Sequence, residues 1–223
     1  MTLTRTIGAV VVAGLLAGCS QSMAGSPMGQ SGKGTAMTAP MANGKAAGLR
    51  AALNTLFQEH VYLAAAATGA ALDGREAEFK AAAAALDQNS VAIARAVGSV
   101  YGAGAEQAFL PLWRRHIGFA VDYTVGVATK DQAKGDRAVE DLMGYTGDLG
   151  EFLASANPHL PKSVVADLVK HHVVRLKAVI DAQAAKDPGQ AYAALREAAG
   201  HMQQIANPLA EAIVKQFPDR FIG

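Results

Sequence analysis

The chain reads as all-α, a six-helix bundle built from three α-hairpins of 56 residues each. Three observations predict this. From about Ala46 onward the sequence is rich in Ala and Leu and poor in strand signals. Apolar residues recur at spacings of three and four, the period of one helical face. The sequence also aligns with itself at a shift of 56 residues without gaps, the mark of an internal repeat. A linear α-solenoid is the less favoured alternative, since three units barely suffice to make one.

The N-terminal element is a leader. Residues 1 to 18 carry one charge, Arg5, followed by an apolar run from Ile7 to Ala17 that is too short to span a bilayer as a mature helix. The run ends in "LAGCS", Leu16 to Ser20, with small residues Ala17 and Gly18 immediately before the only cysteine. This stretch resembles the bacterial lipoprotein box, which is cleaved before its cysteine. The resemblance implies that Cys19 becomes the acylated first residue of the mature chain and anchors it to a lipid bilayer through its buried methylenes. Ser20, where an aspartate would signal retention at the inner membrane, favours the outer membrane, facing the periplasm, in a Gram-negative cell.

Residues 19 to 45 form the second element, a tether of Gly, Ser, Ala, Thr, Pro and Met with almost no charge and no periodicity. Met23, Met28, Met37 and Met41 punctuate it, and thioethers suit soft Cu(I). With Arg5 removed alongside the leader, basic and acidic residues balance at 19 each, so no basic surface points to a nucleic-acid partner.

The third element, 46 to 223, divides into repeats at about 49–104, 105–160 and 161–216. Leu56, Leu112 and Leu168 fall in register, as do His60, His116 and His172, with Val61, Ile117 and Val173 after them. Turn signals break each unit near its middle: "LDGRE" at Leu72 to Glu76, "TKDQAKGD" at Thr129 to Asp136 and "KDPGQ" at Lys186 to Gln190, where Asp187 and Pro188 read as cap and first turn. "GAGAE" at Gly102 to Glu106 and "SANPHLPKS" at Ser155 to Ser163 join the hairpins. Pro111 and Pro208 lie inside helical patterns and predict kinks or helix starts.

Each first helix carries a histidine on its apolar face, between Leu56 and Leu63, Leu112 and Phe119, and Leu168 and Leu176. An inward imidazole needs partners for its nitrogens, and burial disfavours its charged form. Their flanks differ, Glu59 against Arg115 and His171, while the histidines stay the same, which points to a shared task. In the second helices Asn89, Tyr145 and His201 occupy equivalent positions on the apolar face. If the hairpins close around an axis, His60, His116, His172 and His201, with the Met202 thioether, form a metal site. Neutral imidazole with a thioether favours copper among the transition metals. Asn89, Tyr145, Asp122 and Tyr123 are then the candidate hydrogen-bond partners that orient the ligands, with Asp148 a further acceptor, although a solvated Asp122 and a core Tyr123 are the favoured readings of those two. His171 and His159 are expected to face solvent, and Trp113 to pack.

Enzyme chemistry lacks its parts. There is no Glu-x-x-His di-iron motif, no G-x-S-x-G elbow, no H-E-x-x-H and no C-x-x-C-H. Non-covalent haem between two histidines needs no cysteine and ranks below copper. The competing reading is a structural or interaction lipoprotein whose histidines are core residues and whose outer face binds an envelope protein.

Over residues 49 to 221 the chain also resembles a poorly characterised family of secreted bacterial helical-repeat proteins, through "LWRRHIGFAVDYT" and the closing "QFPDRF", Gln216 to Phe221. Some of those proteins carry copper amine oxidase-like labels, which lends a little weight to copper and implies no recognisable chemistry for this chain.

Overall fold

The computed structural model describes residues 44–222. The leader, Cys19, most of the tether and its four methionines lie outside the described residues. Six helices follow: α1 Gly44–Leu72, α2 Glu76–Tyr101, α3 Ala103–Thr129, α4 Gln132–Ala156, α5 Lys162–Ala184 and α6 Pro188–Gln216, with a 3-10 turn at Pro218–Arg220. No strand occurs among the described residues, and no helix there is long and apolar enough to cross a membrane.

The helices pair as three hairpins, and their turns share a geometry. Gly74, Lys130 and Lys186, spaced by 56 residues, all take a left-handed backbone, with φ of 68°, 57° and 56°. Only the first is a glycine, the residue that adopts this conformation without strain. Asp131 and Asp187 then cap α4 and α6 by accepting from the backbone N–H of Lys134 and Gln190, each at 3.0 Å. Arg75 stands at the matching position before α2 and makes no such bond.

Each helix packs on its neighbour in the chain, and α6 returns to pack on α1, which closes the ring. Inside it, α1, α3 and α5 touch one another. A solenoid would leave its first and last helices apart, so the linear alternative does not hold. Small buried residues on α1, among them Ala64, Ala67 and Ala70, let this inner triangle close.

Pro111 and Pro208 lie inside α3 and α6 and begin neither, so of the two expectations the helix start does not hold. α3 starts at Ala103, two turns before Pro111, and α6 runs through Pro208 to Gln216. A proline removes one backbone donor from the ladder, and packing on both sides of the helix outweighs that loss.

The pole holding the hairpin linkers is tied by polar groups. Asn157 is fully buried, donates to the Tyr101 hydroxyl at 3.0 Å and accepts from the His159 N–H at 2.8 Å. The Tyr101 hydroxyl reaches Gln216, whose amide donates to the Ala156 carbonyl. Arg220, from the closing "QFPDRF", donates to the Val100 carbonyl and lies over the Phe217 ring. Asn157→Ala removes both bonds, leaving the Tyr101 hydroxyl with Gln216 alone and the His159 N–H without its acceptor, and is expected to lower unfolding free energy by about 1–2 kcal/mol, measured by urea denaturation.

Candidate functional site

Closure of the ring decides where the histidines go. His60 on α1, His116 on α3 and His172 on α5 each sit near the middle of an inner helix and are 1%, 5% and 6% exposed. The ring centroids of His60 and His116 are 5.3 Å apart, and those of His60 and His172 are 5.9 Å apart. The Nε2 atoms of His60 and His116 stand 3.4 Å from each other. The Nδ1 atoms of all three are buried without a hydrogen-bond partner.

The interior keeps these imidazoles neutral. Burial pulls His60 well below the usual histidine range, and the neighbouring His116 and His172 add to the effect. Burial lowers His116 to about 3, with His172 contributing; the Trp113 backbone acts in the opposite sense, although no hydrogen bond to Nδ1 is completed. Burial also lowers His172 to about 4, helped by His201 and Arg175.

Aromatic rings complete the layer. Trp113 stands edge-on to His60 and His116, at centroid distances of 5.1 and 4.6 Å, and stacks on Phe57 and Phe109. Tyr145 lies against His116 at 4.8 Å. Trp113 therefore packs in the core, as expected, and does so against the histidines. Its spacing carries a signal, since it precedes His116 by three residues, as Phe57 precedes His60, which puts each pair on one helical face.

Two cavities flank the layer. An apolar one of about 130 Å³ lies along the bundle axis, from Leu160 and Pro161 in the α4–α5 linker to Trp113, His116, Tyr145, His172 and Met202. Another of about 190 Å³ borders His60 and His116 on the side of Leu86 and Thr124.

Several expected site residues lie elsewhere. His201 is held apart from the three: its Nε2 is 3.0 Å from the Leu168 carbonyl and its Nδ1 is 3.0 Å from Gln204 Oε1. It clamps α6 to α5 in the way that Asn89 clamps α2 to α1 through the Leu56 carbonyl at 2.9 Å. Asn89 also donates to Glu59, away from the imidazoles. The Tyr145 hydroxyl has no partner. Asp122 pairs with Lys134 at the surface, Tyr123 donates to Asp181, and Asp148 pairs with Arg115. None of these groups orients a histidine. Met202, 1% exposed, does line the axial cavity beside His116 and His172. His159 and His171 are exposed, as expected.

Among the described residues no group of three or more His, Cys, Asp or Glu side chains is set to hold a metal ion as it stands. Haem does not fit: the axial cavity is near the volume of one benzene, and a 3.4 Å gap between Nε2 atoms leaves no room for a porphyrin iron between two imidazoles. No protein-family model, no curated protein and no solved structure matches this chain.

Proposed function

We propose that this chain is a lipid-anchored envelope protein whose bundle binds a transition-metal ion, copper favoured, through His60, His116 and His172, for buffering, storage or sensing. One observation carries the reading: the 3.4 Å between the Nε2 atoms of His60 and His116. That distance is long for a hydrogen bond, which centres near 3 Å. It matches two nitrogens bound at about 2.0–2.1 Å to one ion at a tetrahedral angle. The His172 ring, its centroid 5.9 Å from that of His60, is the candidate for the third nitrogen.

The chemistry of the surroundings supports copper. The donors are neutral imidazoles, no carboxylate faces them, and a thioether lies in the adjoining cavity, a set suited to copper. Membrane anchoring rests on the resemblance of "LAGCS" to the lipoprotein box.

The test is metal content by mass spectrometry and competition titration with copper and zinc. The expected result is about one equivalent of metal per chain, lost in the His60→Ala, His116→Ala, His172→Ala triple variant with helicity retained by circular dichroism. His201→Ala is expected to keep the metal, because its nitrogens face the Leu168 carbonyl and Gln204 rather than the other three imidazoles. A wild-type protein that takes up no more metal than the triple variant would remove the reading and leave the histidines as core residues of an interaction protein.

A further inference from the structure

The charge around the three imidazoles selects the kind of ion that can sit among them. The cavities that border them are walled almost wholly by apolar side chains; none is lined by an Asp or a Glu, and one is lined by Lys177. The acids on neighbouring turns are held at the surface by other groups. Glu59 accepts from Asn89, Asp148 pairs with Arg115, and Asp181 pairs with Lys177. The full charge that acts on His172 is a cation, Arg175.

An ion bound here therefore gains no neutralising charge from the protein. The cost of burying it rises with the square of its charge, so a dication costs about four times as much as a monocation. Ligand number points the same way. Zn(II) takes four ligands, and in a three-histidine site the fourth is a water or hydroxide. The apolar walls give such a ligand no second partner, and a buried polar group without one is costly. Cu(II) takes a tetragonal set, whereas three hairpins around one axis present three donors, one from each inner helix. Cu(I) is soft, carries one charge and is satisfied by three donors. The 3.4 Å between the Nε2 atoms of His60 and His116 suits it, because two nitrogens about 2.0 Å from one ion stand about 3.5 Å apart at a trigonal angle. The Met202 thioether, a soft group, lines the cavity beside His116 and His172.

We propose that the histidine layer is a site for a soft monovalent cation, Cu(I), and that it discriminates against Zn(II) and Cu(II) by charge and by ligand number. The inference rests on the metal reading above and narrows it to one charge state.

Trp113, the only tryptophan in the chain, has its ring 5.1 and 4.6 Å from those of His60 and His116, so its fluorescence reports on this layer directly. The full chain is titrated at pH 7 in the absence of oxygen with Ag(I), a redox-inert ion of the same charge and softness, and with Cu(I), Zn(II) and Cu(II). The expected result is a saturable change with Ag(I) and Cu(I), and binding of Zn(II) and Cu(II) at least about 100-fold weaker. Cu(II) is expected to give the Cu(I) response only after ascorbate is added. The His60→Ala, His116→Ala, His172→Ala variant keeps the four tether methionines and is expected to lose the response; a response that it retains would overturn the proposal. The ion preference is read on the wild-type chain alone, so it does not depend on how that variant folds. A smaller preference for the monovalent ions would overturn the charge selection while leaving metal binding in place. A chain that gives no saturable response to any of the four ions would remove the metal reading itself, and this inference with it.

Discussion

Lowering the pH from 7 to 5 is expected to destabilise the folded chain by several kcal/mol, and the three central histidines are expected to cause most of the loss. In the unfolded chain each titrates near 6.5. In the bundle His116 falls to about 3 and His172 to about 4, and His60 lies well below its usual value, all through burial first. The unfolded state thus binds more protons than the folded one below pH 6.5, and stability drops as pH falls. The contribution is complete above about 6.5 and is lost progressively toward 4 and 3. Each histidine costs about 1.4 kcal/mol per pH unit in that window, so His116 and His172 together remove about 4 kcal/mol by pH 5. A typical domain has only about 5–15 kcal/mol to lose. Urea denaturation at pH 7, 6 and 5, followed by Trp113 fluorescence, measures the slope. The triple variant with leucine at positions 60, 116 and 172 is expected to show a nearly flat profile. A wild-type protein equally stable at pH 7 and 5 would show that these imidazoles are not buried as described.

Adding one methyl group to a glycine is expected to have opposite effects at two positions of α3. A Cβ at Gly126 would lie 2.7 Å from the Gly135 nitrogen and 3.0 Å from its Cα, backbone atoms that cannot rotate away. The crossing of α3 and α4 must then open, and overpacking of this kind costs about 1–3 kcal/mol. At Gly118 the added Cβ meets nothing within 4 Å and the site is exposed. There alanine only restricts the unfolded chain and raises helix propensity, a gain of about 1 kcal/mol. Chemical denaturation of Gly126→Ala and Gly118→Ala is expected to move the midpoint down in the first and up in the second. Two shifts of the same sign would contradict the close approach of these helices.

The all-α class and the hairpin turns were legible because a helical period and a glycine or proline punctuation are local signals. The inward direction of His60, His116 and His172 was legible for the same reason, since each shares a face with neighbouring leucines. Their meeting was only conditional: equivalent positions converge when hairpins close a ring, and the contact of α6 with α1 leaves no trace in either helix alone. His201 was misread because its partner, the Leu168 carbonyl, is backbone, and every residue offers the same carbonyl. The candidate orienting groups lie elsewhere for a similar reason, while Asp122 at the surface and Tyr123 in the core agree with the favoured reading of those two residues. Asp122 and Asp148 have the right chemistry, but a lysine and an arginine at the surface claim them.

A closed ring also constrains what the chain can become. Lys45 Nζ lies 3.3 Å from the Ile222 carbonyl, so the two ends of the described bundle adjoin. A short peptide joining them, with a new opening cut at any hairpin turn, leaves every helix contact in place. The bundle should therefore accept circular permutation at the turns near Gly74, Lys130 and Lys186. Growth is another matter. A fourth hairpin would force the inner helices outward from a triangle to a square and pull His60, His116 and His172 apart. The architecture thereby fixes a valence: one imidazole per hairpin, three hairpins per turn of the ring, and no means of changing either number without losing the centre.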